Sequence, residues 1–573
     1  MLPVLLSCLT YANTLRNGFV YDDLVTIEEA PYLQDSTLLP RLFTPGYFAM
    51  TKELSYRPAL TLSYFVDSAL WGGAPAGFHL TNVVCHALCV FFLYWIGKAL
   101  LPGEFWASLG AALFAVHPAA TEAVNCVSFR EDLLALFFCL VAVFCMIRKK
   151  GPGWLPTVLF LLSLLSKESG AVLPFLLLLW WPRTPEKKDF LRRLWPLGVM
   201  LFFFLVFRVT LLKWLGTGEK APWNLADRLL IAPRVFALYL RLVLCPHPLS
   251  AEYVFSRLSG PLDPNFLIPL GLLTFSSCLA LFLWRRGSPA GLGMMWFLVG
   301  LLPVSNLIPL PNPAAERFLY LPLAGAGLVY GSLGELFSGV RGKWLMRGGM
   351  MALLLPLSWM TIKRNRVWRD ELTFCRDTVN KCPQSDRFLY NLASAYWEEG
   401  RMEEAETTFE RLLERTPDHM DAKISLSALY VETGRTETAI QWLTKITQET
   451  PGAHQAWTDL AVVYHTLGRD EEALRAADQS VALSGGDPTA LANRGRLLVK
   501  MGRLERAASD LQAAFEREPH VDLAVDLAIL ATERGLWDEA ENWFDRAFVL
   551  SPGDPFVQRN YETFLLKRRS VLQ

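Results

Sequence analysis

The chain has 573 residues, of which 52% are hydrophobic and 19% charged, and its 55 basic and 55 acidic side chains cancel. A positive mean hydropathy with so few charges excludes an ordinary soluble globular protein, and zero net charge excludes a generic nucleic-acid binder. Residues 1 to about 359 alternate long apolar runs with short polar loops, whereas acidic and basic residues mix at helical spacing from Lys363 onward, so two solvents are implied.

A membrane-spanning helix needs roughly 20 apolar residues. Eleven runs are candidates: 2–13, 78–100, 105–116, 133–147, 155–166, 171–181, 194–215, 266–284, 291–310, 318–337 and 344–362. Several are short and must borrow flanking residues or tilt. The basic clusters Arg148-Lys149-Lys150, 183–193, Arg285-Arg286 and Arg341-Gly342-Lys343 then share one side, which the positive-inside rule makes cytoplasmic. The polypeptide 14–77 becomes the first outer loop, and an odd count sends the C-terminal third to the non-cytoplasmic side. That side is the periplasm of a bacterial inner membrane or the lumen of the endoplasmic reticulum.

Segment 227–246 is apolar but carries Arg228, Arg234 and Arg241, and it reads as an amphipathic helix in the outer interface. Were it to span, everything after it would invert. The first apolar run lacks a basic start and a small-residue cleavage site, which favours a short first helix or a late start site over a signal peptide. Of the ten cysteines, Cys85, Cys89, Cys139, Cys145 and Cys278 lie in apolar runs as small hydrophobes. Cys375 and Cys382 are too far apart on one helix to bridge, at roughly 10 Å of rise.

Residues 363–383 read as a linker helix, after which a period emerges. Gly400, Gly434, Gly468 and Gly502 recur every 34 residues and Gly535 follows after 33; Ala405, Ala439, Ala473, Ala507 and Ala540 sit five residues beyond each glycine. Pro417, Pro451, Pro519 and Pro552 close the units, with Gly485 standing in once. A small alanine for close helix approach, a glycine for the turn and a proline stop make the tetratricopeptide pattern. Five repeats are expected over 384–552 and a polar cap over 553–573, together forming a surface for an extended peptide or another protein.

Ionisable residues near membrane helices are costly, and here they gather on the expected outer side. Asp22 and Asp23 follow the first run; His117, Glu122, Arg130 and Asp132 occupy the third outer turn; Lys167 and Glu168 end the fifth run; Glu316 and Arg317 begin the tenth. A carboxylate pair among fixed cations suits glycosyl transfer from a lipid phosphate. One acid takes the proton of an attacking hydroxyl, and the cations stabilise charge growing on the phosphate, with inversion at the sugar. The bland readings are solvated acids at Asp22 and Asp23, a helix cap at His117 and Glu122, and interfacial anchors at Arg130 and Lys167. His79, Asn82 and His86 share one helix face and read as glue between helices. No dense cluster of metal ligands and no phosphate-cradling glycine loop occurs.

The ordered set Phe19-Val20-Tyr21-Asp22-Asp23, Tyr56-Arg57-Pro58, Phe78-His79-Leu80-Thr81-Asn82, His117-Pro118 with Thr121-Glu122, Arg130 with Asp132, Ser166-Lys167-Glu168 and Ala315-Glu316-Arg317 with Tyr320-Leu321-Pro322 resembles the transmembrane and tetratricopeptide-repeat O-mannosyltransferases and their bacterial relatives. Leu249-Ser250-Ala251-Glu252-Tyr253 is similar to a segment where that family more often has proline and aspartate at the positions of Ala251 and Glu252. The resemblance implies an all-α, polytopic GT-C fold over 1–362. It also implies transfer of a sugar, typically mannose, from a polyprenyl-phosphate donor in the membrane to Ser or Thr of an acceptor protein. Asp22 matches the first acid of the family's pair, and Asp23 stands where glutamate is common, so which is the base stays open. Arg130, Lys167 and Arg317 would face the phosphate, with His117, Glu122, Asp132, Glu168 and Glu316 in support. A divalent metal is used by some GT-C enzymes and not others. The competing expectation is a membrane-anchored repeat scaffold whose site no longer turns over.

Overall fold

The computed structural model describes residues 1–148, 152–210, 224–308, 310–333, 340–551 and 554–572, apart from Lys52, Leu54, Arg257 and Ser259. The ends of the runs expected at 194–215 and 318–337, Pro309 of the run at 291–310, the Lys149-Lys150 loop, Pro552, Gly553 and Gln573 lie outside them. Among the described residues the regular elements are helices and no strand occurs. The chain divides into two compact units, Met1–Phe388 and Leu389–Gln573.

The first unit is a helical bundle. Its helices are α1 (Leu2–Tyr11), α2 (Gly46–Thr51), α3 (Pro58–Trp71), α4 (Pro75–Leu100), α5 (Glu104–Val116), α6 (Thr121–Asn125), α7 (Arg130–Arg148) and α8 (Leu155–Ser166). They continue with α9 (Leu173–Leu178), α10 (Lys187–Thr210), α11 (Leu225–Leu244), α12 (Pro264–Arg285), α13 (Pro289–Leu301), α14 (Tyr320–Ser332), α15 (Val340–Asn365) and α16 (Glu371–Lys381). Close packing rests on small residues: a Cβ on Gly325 of α14 would fall 2.6 Å from the carbonyl oxygen of Gly293 on α13. Helices α1, α5, α8, α10, α13 and α15 end, and α4, α7, α9 and α14 begin, at one end of this bundle, where the polar residues meet.

Among the described residues three helices are long and apolar enough to cross a bilayer, Pro75–Leu100, Lys187–Arg208 and Pro264–Arg285. Glu104–Val116, Leu155–Ser166 and Pro289–Val304 are apolar but shorter, so length and composition do not reach the eleven expected. The two apolar runs expected at 155–166 and 171–181 show why. Helix α8 stops at Ser166, a tight turn occupies Glu168–Val172, and α9 has only 6 residues. At 1.5 Å per residue the 12-residue α8 covers roughly 18 Å of a core that is roughly 30 Å thick. By contrast α12 turns Ile268, Phe275 and Phe282 outward, a surface suited to hydrocarbon and not to water.

Helix α11 has the amphipathic pattern expected of 227–246. Ile231, Val235, Tyr239 and Leu242 are buried on one face. On the other, Arg228, Arg234 and Arg241 donate to the carbonyls of Leu307, Ser256 and His247 at 3.1, 2.8 and 2.7 Å. The stretch expected as a linker is part of the first unit, because α16 packs on the turn after α15 and Phe374 and Phe388 are buried.

The second unit contains helix pairs α17 (Asp386–Glu398, beginning in the first unit) with α18 (Met402–Arg415), α19 (Met420–Glu432) with α20 (Thr436–Glu449), and α21 (His454–Thr466) with α22 (Asp470–Ser484). The series continues with α23 (Pro488–Lys500) and α24 (Leu504–Arg517), then α25 (Val521–Glu533) and α26 (Trp537–Leu550), and closes with α27 (Pro555–Leu572). The periodic alanines are fully buried between paired helices, and the periodic glycines turn the chain at φ near +70° to +75°, a conformation that favours residues without a Cβ.

Candidate functional site

The site is built from the segment that follows α1. Asn17 donates to Asn125 on α6 at 3.2 Å and to the Asn365 carbonyl at the end of α15 at 3.1 Å, while Asn125 donates to the Asn365 side chain at 2.9 Å. Gly18 N–H donates to the Arg369 carbonyl at 2.9 Å, and His79 of α4 contacts the Gly18 carbonyl at 3.1 Å. The next residues therefore emerge in a fixed direction.

Tyr21 then adopts φ +62°, an unfavourable value for a bulky L-residue. Its N–H donates to the Glu371 carboxylate at 2.7 Å, and its ring packs on Phe129, Phe374 and Phe388. That turn sends two adjacent acids in opposite directions. Asp23 goes inward and is sealed, accepting the N–H of Val127 at 3.0 Å, the N–H of Ser128 at 2.6 Å and the thiol of Cys126 at 3.3 Å. Burial pushes its carboxyl above the usual carboxylate range against the pull of these donors. Asp22 goes outward into a crowded recess that opens to solvent, and its carboxylate has no hydrogen bond among the described residues. Burial pushes it up to about 6, opposed by Arg317 and Arg387 and assisted by Asp23 and Glu131.

Arg317 closes one side of the recess. Its guanidinium lies 4.0 Å from the Phe129 ring and pairs with Glu122, whose other oxygen accepts the Arg317 N–H at 3.0 Å. Behind it Glu316 is buried, takes the Tyr253 hydroxyl at 2.9 Å and faces Arg364 at 3.9 Å; burial pushes it up to about 7 despite Arg364. On the other flank, Lys167 bridges Glu131 at 2.8 Å and Asp132 at 2.6 Å. Arg57 pairs with Glu131 and reaches Glu168 at 3.1 Å, and Arg208 holds Glu168 at 2.5 Å. Burial would raise Glu168, but Arg57 and Arg208 outweigh it and hold the carboxyl at about 2. Nearby Glu53 is pushed up to about 7 by burial, against Arg57.

The structure brings Asp22, Glu122, Asp132, Lys167, Glu168, Glu316 and Arg317 into one charged cluster. It commits two other expected residues elsewhere. Arg130, expected to face phosphate, is fully buried and all five of its N–H groups are engaged by Asn82, Ser63, the Phe78 carbonyl and Asp67. His117, expected in support, is a buried cap: one ring nitrogen accepts the Ala119 N–H at 3.2 Å and the other lies 3.0 Å from the Val243 carbonyl of α11. Burial pushes this imidazole down to about 4. Arg208, Glu371 and Arg387 were not expected. Arg208, a charge inside an apolar run, was a signal of the kind that marks functional sites. Glu371 and Arg387 carried none, lying about 350 residues away in an ordinary polar helical stretch. No group of three or more His, Cys, Asp or Glu placed to hold a metal occurs among the described residues.

An apolar cavity of about 150 Å³ lies between α11, α12, α13 and α14, lined by Phe236, Leu240, Met294, Phe297, Ala326 and Tyr330 among others. It is linked to the charged cluster through α11, whose Tyr239 hydroxyl accepts the Ala315 N–H at 3.3 Å beside Glu316.

Tetratricopeptide-repeat models match residues 390–454, 454–479 and 493–555. Over most of its length the chain is similar to protein O-mannosyl-transferase F38B6.6 of Caenorhabditis elegans, at 24% identity over 73% of this chain and 63% of that one. It is 27% identical to protein O-mannosyl-transferase Tmtc1 of Drosophila melanogaster over 74% of this chain and 62% of that one. It is 28% identical to human protein O-mannosyl-transferase TMTC4 over 68% of this chain and 62% of that one. The chain thus spans about three fifths of the length of these curated relatives. Carrying both the apolar helical part and the repeats, it is a relative of the protein O-mannosyl-transferases.

Proposed function

We propose that the chain is a polytopic membrane glycosyltransferase of the GT-C type that moves a sugar, mannose by analogy with its relatives' names, from a polyprenyl phosphate to a Ser or Thr hydroxyl. The observation that carries this reading is the position of Asp22: an acid with no hydrogen bond among the described residues, bracketed by cations at the end of a bundle whose helices expose apolar surface. Asp22 takes the proton from the acceptor hydroxyl, whose oxygen forms the new bond to the anomeric carbon. The bond from that carbon to the phosphate oxygen breaks, and its electron pair leaves with the polyprenyl phosphate. Arg317 meets the growing negative charge. Since a phosphate departs as an anion, no general acid is needed, and a single displacement inverts the anomeric centre. Lys167, Arg57 and Arg208, each neutralised by a carboxylate, shape the flank that the sugar faces. The cavity beside α11 accommodates part of the isoprenoid chain.

On this reading an odd number of crossings, with the amino end in the cytoplasm, puts the charged cluster on the non-cytoplasmic side. The repeats hold the acceptor polypeptide or a partner. Glycoproteomic mass spectrometry of non-cytoplasmic proteins, with and without this chain, tests the reading. The expected result is a set of Ser- or Thr-linked hexoses that vanish in its absence. An unchanged glycoproteome favours a non-catalytic repeat scaffold.

A further inference from the structure

The cations picked out by sequence are all spoken for. Arg130 has no free donor, Lys167 sits between two carboxylates, and Arg317 is paired with Glu122. Arg387 is different. Its Nε and Nη2 are enclosed and have no hydrogen-bond partner among the described residues, where its one ion pair is long, 3.5 Å from Nη2 to Glu252. Glu252 is itself occupied by the Ser385 hydroxyl. Leaving guanidinium N–H groups enclosed without an acceptor is costly, so an anion that draws this side chain relieves an existing penalty, whereas an anion at Lys167 must compete with good ion pairs.

The position of Arg387 gives its purpose. Tyr21 packs on both Phe129, at 6.3 Å, and Phe388, at 5.9 Å, between ring centroids. Arg317 stacks on Phe129 at 4.0 Å, and Arg387 lies 5.0 Å from the Phe388 ring and 5.9 Å from that of Tyr21. Each of these two rings on Tyr21 therefore carries an arginine of its own, and Asp22 directly follows Tyr21. We infer that Arg387 and Arg317 together form an anion subsite spanning Asp22, with Arg387 as the cation available to take a phosphate group.

This rests on the transferase reading for its biological ligand, the donor's phosphate, but it is tested without turnover. The full-length chain in nanodiscs is titrated with farnesyl phosphate, inorganic phosphate and farnesol. Farnesyl phosphate binds the wild type, Arg387→Gln weakens it at least tenfold, and Arg387→Lys weakens it only a few-fold. Glu252→Gln tightens it severalfold by removing the competing carboxylate, and farnesol binding does not change. Because Glu252→Gln acts in the opposite direction, misfolding cannot imitate the pattern. Parallel changes with inorganic phosphate assign the subsite to bare phosphate, and changes confined to farnesyl phosphate assign it to a lipid headgroup; either supports the inference. Arg387→Gln with unchanged affinity, farnesol binding as tightly as farnesyl phosphate, or no binding of either phosphate to the wild type overturns it. Phosphate binding through Arg387 in a chain that transfers no sugar leaves the subsite standing and removes the transferase reading alone.

Discussion

The carboxylate of Asp23 accepts the backbone N–H of Ser128 at 2.6 Å, and this bond separates it functionally from its neighbour. With Val127 and Cys126 also donating, Asp23 is a structural staple between the first loop and the turn before α7. Asp23→Asn turns an amide NH₂ toward those donors and is expected to cost about 1–3 kcal/mol of stability. Asp22→Asn removes no hydrogen bond of that side chain. Thermal unfolding of the two variants in detergent checks this: the midpoint falls for Asp23→Asn and does not fall for Asp22→Asn.

The ionisation of Asp22 sets a pH dependence. With burial holding it at about 6, transfer rises with pH through that value and levels off above it, since the base must be ionised. Arg387 lowers this pKa, so the midpoint of the kcat profile moves upward in Arg387→Gln. Stability runs the other way. The folded state holds the proton more tightly than the ordinary value of 3.8 allows, so this group's contribution is complete below 3.8 and is lost as pH rises through about 6. Unfolding midpoints of wild type and Asp22→Asn across pH 3 to 8, a range of about five units, separate this term from the rest.

Arg130 and Asp67 are a buried pair, with 0% and 1% side-chain exposure. Removing one partner strands the other, so Arg130→Gln is expected to cost about 3–5 kcal/mol. Donor affinity in the fraction that folds stays at the wild-type value, because every donor of Arg130 points at protein. Folded yield by size-exclusion chromatography, followed by farnesyl phosphate titration of the recovered protein, checks both parts.

In the repeats, Gly468 turns between α21 and α22 at φ +70°. A Cβ there meets no neighbour within 4 Å, so Gly468→Ala isolates the conformational cost, about 1–2 kcal/mol. Denaturant unfolding of the full chain, followed through the repeat transition, measures it.

The repeats were legible almost entirely, because a recurring glycine and alanine encode one helix pair at a time and local geometry repeats with the sequence. The convergence of residues 22, 122, 167 and 317 was legible too, since an alternating helix count puts their loops at one end. Spans were read less well. The break at Lys167 was read from the sequence, but hydropathy registers apolar character and not helix length: α8 keeps 12 residues, and the run at 171–181 is α-helical only over Leu173–Leu178. Side-chain roles were hardest. Arg130 and Arg317 look alike in sequence, and only packing distinguishes a guanidinium saturated by Asp67, Asn82 and Ser63 from one that lines a recess. Arg387 and Glu371 reach Tyr21 through tertiary contacts across more than 300 residues, which no local pattern announces.

Transfer by the purified chain decides whether Asp22 is the base. Polyprenyl-phosphate [³H]mannose is supplied with an acceptor protein, and label in Ser- or Thr-linked product is counted for wild type, Asp22→Asn and Asp23→Asn. The wild type gives product, well-folded Asp22→Asn gives background, and Asp23→Asn gives residual product in proportion to its folded fraction. Undiminished transfer by Asp22→Asn would contradict the assignment of Asp22 as the base.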